Sequence, residues 1–136
     1  MKSKKKLIGI LCVMAVIISG WIWWNLPTSI IKISPQEVSK IEVFDGNTGK
    51  AVVITDTTDI EHIIKNLNTV FIKKEKISIG YMGTSFRTTI YKNGVVYKKF
   101  IINSSNTIRK DPFFYRASSE SIDYHYIREL IDKKAK

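Results

Sequence analysis

The strongest pattern in the chain is its first. Residues 7–24 read Leu-Ile-Gly-Ile-Leu-Cys-Val-Met-Ala-Val-Ile-Ile-Ser-Gly-Trp-Ile-Trp-Trp, and no charge interrupts them. At about 1.5 Å per residue this run makes about 27 Å of helix, close to the ~30 Å of a bilayer's hydrocarbon core. After it the pattern breaks into short apolar runs separated by turn formers. Residues 38–44 predict a strand with Ile41 and Val43 on one face. Asp45-Gly46-Asn47-Thr48-Gly49 predicts a turn, and residues 51–55 a returning strand.

Ile60, Ile63, Ile64 and Leu67 then recur at helical spacing, with Thr58 and Glu61 placed as a capping box. Residues 70–79 predict a strand whose middle, Lys73-Lys74-Glu75-Lys76, suits an exposed or edge position. Residues 84–91 and 95–102 alternate around Asn93-Gly94, the strongest hairpin signal in the chain. Residues 108–116 predict one last short strand, broken by Asp111-Pro112. Ser121 is placed to cap a C-terminal helix that buries Ile127, Leu130 and Ile131 and ends in Lys133, Lys134 and Lys136. The order ββαβββ(β)α predicts an α+β fold: an antiparallel sheet with two helices on one face, preceded by one N-terminal transmembrane helix. The expected division is a basic tip and anchor over 1–26, a linker over 27–36 marked by Pro27 and Pro35, and an extracytoplasmic domain over 37–136.

Charge orients the anchor. Lys2, Lys4, Lys5 and Lys6 precede the apolar run, whereas residues 25–39 carry only Lys32 and Glu37. The positive-inside rule places the N-terminus in the cytoplasm and the domain outside, with Lys4, Lys5 and Lys6 at one membrane interface and Trp21, Trp23 and Trp24 at the other. A cleaved signal peptide would need a shorter core and a small-x-small site; Ile18 spoils the cut at Ser19-Gly20. Leu11 before Cys12 argues against a lipoprotein, and the domain, having no other cysteine, has no disulfide. Residues 27–136 hold 18 basic and 12 acidic side chains, net +6. That suits an anionic neighbour: the bilayer itself, an envelope polymer or an acidic protein. The basic residues are too scattered for nucleic acid.

Motifs for chemistry are sparse. Asp45-x-Asn47-x-Gly49 fails as a calcium loop, because Lys50 stands where its glycine belongs. Gly49-Lys50 lacks the spacing of a phosphate loop. His62 and His125 read as surface histidines, and nothing calls for a metal or cofactor. Asp111, Glu120 and Asp123 could run acid–base chemistry if burial separated their pKa values, which keeps an envelope hydrolase as the alternative. The better candidates are for binding. Tyr81 and Met82 stand between two glycines with Arg87 close by in sequence; Phe113, Phe114 and Tyr115 are flanked by Arg109, Lys110 and Arg116. Aromatic anchors framed by arginine are typical of binding hot spots. The competing reading sends Phe113 and Tyr115 into the core.

Several stretches carry a likeness: residues 40–50, Ile54-Thr55-Asp56, Asp59-Ile60, Gly80-Tyr81-Met82-Gly83, Phe114-Tyr115 and Ile122-Asp123-Tyr124. In these the chain resembles small membrane-anchored or lipoprotein-like domain proteins of low-GC Gram-positive bacteria. The resemblance implies a cell-envelope location and transfers no functional residue. The combined expectation is a non-catalytic, membrane-anchored binding or regulatory module on the outer face of a bacterial plasma membrane.

Overall fold

The computed structural model describes residues 1–135; Lys136, expected near the last helix end, lies outside them. The apolar run forms a 24-residue helix, α1 (Lys2–Asn25), which buries none of its residues against the rest of the chain. It is long and apolar enough to cross a membrane. A two-residue strand, β1 (Thr28–Ser29), follows. The domain continues with β2 (Val38–Asp45), β3 (Ala51–Ile54), α2 (Thr57–Thr69), β4 (Phe71–Ile77), β5 (Phe86–Lys92), β6 (Val95–Ser104), β7 (Thr107–Lys110), β8 (Phe113–Ala117) and α3 (Tyr124–Lys134).

All eight strands belong to one antiparallel sheet, in the order β1-β4-β8-β7-β6-β5-β2-β3. Alternation sorts each strand between two faces. Ile41, Val43, Val52, Ile54, Phe86, Ile90, Phe100, Ile102 and Ile108 point to one face and are buried there. Onto it pack the α2 stripe Ile60, Ile63, Ile64 and Leu67, and Ile127, Leu130 and Ile131 of α3, in one hydrophobic cluster. The α+β class, the antiparallel sheet and the placement of both helices agree with the sequence.

Four local expectations change. The segment 27–36 is built into the domain rather than linking to it: Ile30, Ile31 and Ile33 are buried, and Asn68 of α2 both donates to the Ile33 carbonyl and accepts from its amide. Ser34 and Glu37 form the capping box of a 3-10 turn there. Residues 108–116 hold a hairpin, β7–β8, because the Asp111-Pro112 pair reverses the chain instead of merely interrupting a strand. Asp56, not Thr58, caps α2, accepting from the amides of Thr58 and Asp59. Asp123, not Ser121, caps α3, accepting from the Tyr126 amide. In both helices a carboxylate two residues away wins the amides over the hydroxyl.

The hairpins keep their predicted turns. Asn93 and Gly94 both have positive φ, 51° and 79°, as a type I′ turn requires. Asp45 is buried in the β2–β3 turn, where it accepts from the Asn47 amide at 2.9 Å and the Thr48 hydroxyl at 2.8 Å. Gly46 passes so close to Thr84 that a Cβ there would lie 2.7 Å from the Thr84 carbonyl oxygen. This contact holds the β2–β3 turn against the approach to β5.

Candidate binding surface

The face of the sheet opposite the helices carries the candidate site. Register places one residue from each of seven strands in a single cross-strand row. Ala51 pairs with Phe44, Phe44 with Arg87, Arg87 with Ile101, Ile101 with Arg109, Arg109 with Phe114, and Phe114 with Lys76. At the usual strand spacing of ~4.8 Å, the row is about 29 Å long. Aromatic rings and cations interleave along it. The Arg87 guanidinium lies 5.5 Å from the Phe44 ring, and the Lys76 ammonium 5.2 Å from the Phe114 ring. Neither Lys76 nor Arg87 pairs with a carboxylate among the described residues.

Arg109 is the best-held residue of the row. Its side chain is only 11% exposed. Its Nε and Nη2 donate to the Asp111 carboxylate at 2.8 and 3.2 Å, and its Nη1 donates to the Gly83 carbonyl at 3.2 Å. Ser78 donates to the same carboxylate at 2.6 Å. The Arg109 hydrogen bond first, and the Ser78 hydroxyl second, hold the Asp111 carboxyl below its ordinary range. Tyr81 closes the cluster edge-on to Phe114, ring centroids 5.0 Å apart, with Arg109 5.8 Å from the Tyr81 ring. The 80–83 loop is therefore tied to the sheet, while Met82 stands out from it, 92% exposed.

The sequence candidates divide in two. Tyr81, Met82, Arg109 and Phe114 come together at one end of this face. Arg87 does not join the loop; one strand, β6, separates it from Arg109, and it stacks on Phe44, which sequence reasoning overlooked along with Lys76. Both missed residues alternate to the outer side of their strands, and that parity was readable once the pairing partners were known. Lys110, Phe113 and Tyr115 point to the helix side of the sheet. Tyr115 packs against the core, as the competing reading expected, whereas Phe114 is the buried ring on the opposite face, 4% exposed. Phe113 meets the end of α1 instead, edge-on to Trp23 at 6.1 Å and Trp24 at 5.6 Å. Lys74 lies 3.9 Å from the Trp23 ring and donates to the Trp23 carbonyl at 3.4 Å. Trp21 and the residues Lys4, Lys5 and Lys6 at the other end of α1 are exposed.

The three carboxylates of the hydrolase alternative do not converge. Asp111 belongs to Arg109. Asp123 caps α3 and sits 2.7 Å from the His62 Nε2, while His62 stacks on Tyr126 at 3.8 Å. Glu120 lines an open groove beside Asp123 and His125, floored by Asn66 and Asn103. No group of three or more His, Cys, Asp or Glu side chains gathers as a metal site among the described residues. No family model matches the chain, and no curated protein or solved structure matches it.

Proposed function

We propose that this chain is a non-catalytic, single-pass binding module on the outer face of a bacterial plasma membrane, and that the helix-free face of its sheet takes an acidic partner. The anchor reading is supported by α1, by the lysines in its first turns and by Trp23 and Trp24 at its far end, which dock on Phe113 of the domain. The observation that carries the binding reading is the row of Phe44, Arg87, Arg109, Phe114 and Lys76. It presents Lys76 and Arg87 to solvent beside aromatic rings, and neither pairs with a carboxylate among the described residues. Such cations attract acidic side chains or an anionic polymer, and the rings beneath them add apolar contact. A hydrolase working through Asp111, Glu120 and Asp123 has less support, because two of the three carboxylates are already engaged by Arg109 and His62.

The test uses the full chain in non-ionic detergent with a fluorescent poly-glutamate probe. The double variant Lys76→Glu/Arg87→Glu is expected to weaken binding about tenfold, equivalent to about 1.4 kcal/mol. Lys65→Glu/Lys133→Glu changes the net charge equally on the helix side and is expected to change affinity little. Equal loss in both doubles would mean that net charge alone attracts the probe, and the face would lose its role.

A further inference from the structure

We propose that a second site, the small cavity on the helix side of the sheet faced by Lys98, Lys110, Thr28, Ser29 and Tyr115, binds a phosphate group. The cavity encloses about 70 Å³ and is floored by Ile72, Phe100 and Ile108. A single water needs about 10–15 Å³ of such space, so the cavity admits a small polar group. Among its lining residues are two lysines and three that carry hydroxyls, and none is acidic. None of these five side chains has a hydrogen-bond or ion-pair partner among the described residues. A concave site of unpartnered donors with two like charges is complementary to an oxyanion.

Two effects disfavour the charge on Lys98. Burial pushes the Lys98 ammonium below its ordinary range, and the charge of Lys110 pushes it further in the same direction. A bound anion would oppose both effects. Burial also raises the Tyr115 phenol, so it stays protonated as a donor. A wider open groove adjoins the cavity, sharing Thr28, Ser29 and Lys98 and adding Lys32, and it too has no acidic lining residue.

Position suggests where the phosphate comes from. Lys110 pairs in register with Phe113, the residue that touches Trp23 and Trp24. Thr28 and Ser29 follow the end of α1 by three and four residues. Interfacial tryptophans lie at headgroup depth, which brings the cavity within reach of a phospholipid phosphate as well as of a soluble one.

The experiment titrates the full chain, in phosphate-free non-ionic detergent, with inorganic phosphate in one arm and a short-chain phosphatidylglycerol in the other, by calorimetry. Saturable binding in either arm is expected, weakened about tenfold or more by Lys98→Met, which keeps the side-chain length. Tighter binding of the lipid assigns the site to a headgroup; tighter binding of inorganic phosphate assigns it to a soluble anion. Lys110→Gln, at the exposed rim, gives the same direction of effect and serves if Lys98→Met fails to fold. Lys65→Gln, on α2 and outside both proposed sites, is expected to leave phosphate affinity unchanged. Absence of saturable binding in both arms overturns the site, as does an equal loss in Lys65→Gln. Either result leaves poly-glutamate binding by the opposite face standing.

Discussion

Tyr126 shows how one hydroxyl ties the two helices together. It donates to Asp59 of α2 at 2.7 Å, and Lys134 reaches the same carboxylate. The Lys134 hydrogen bond first and the Tyr126 hydroxyl second hold Asp59 below its ordinary range. The Asp59 carboxylate, helped by burial, pushes the Tyr126 phenol from 10.0 up to about 12. A group whose folded pKa is raised adds stability below its unfolded pKa and loses that contribution as pH climbs through the folded one. The stability advantage of wild type over Tyr126→Phe is thus expected to be constant to about pH 10 and to shrink towards pH 12. Urea unfolding of both chains across that window measures it; a constant difference through pH 12 contradicts the link.

At the scale of elements, capping separates what sequence spacing suggests from what the backbone selects. Asp56→Ala is expected to cost about 1 kcal/mol, the typical value of a lost cap, and Thr58→Ala less than about 0.5 kcal/mol. Equal costs in urea unfolding would restore Thr58 to the role. The periodic elements were legible: the α2 stripe and the two long hairpins need only local spacing and turn chemistry. What escaped was decided by partners distant in sequence. Residues 27–36 looked like a linker because Pro27 and Pro35 bracket them, yet Ile30, Ile31 and Ile33 bury against a core that local pattern does not reveal. Ser34 and Glu37 were the available signal, a capping box read past. The segment 109–116 could not be divided between faces until strand pairing fixed its register. That division separates Arg109 and Phe114 of one site from Lys110 and Tyr115 of the other.

For the whole molecule, the orientation sets which surfaces meet which partners. Cys12 is the only cysteine, so a Cys12→Ser chain gives a clean background for labelling. Met82→Cys in that background is expected to react with a membrane-impermeant maleimide on intact cells. Reaction only after lysis would invert the topology and place both proposed sites in the cytoplasm. The sheet's margin has its own consequence for molecules confined to two dimensions. β1 pairs only with Ile72 and Phe71, so the outer edge of β4 beyond them, which carries Lys73 and Lys76, has no strand partner among the described residues. Were the chain anchored as proposed, neighbouring copies on a crowded bilayer would float at the same height with the same strand edge facing outward, an arrangement that favours lateral polymerisation. Mutual repulsion between lysine-bearing borders keeps them apart. Converting Lys73 and Lys76 to threonine should turn freely diffusing molecules into immobile clusters, visible as slowed recovery after photobleaching.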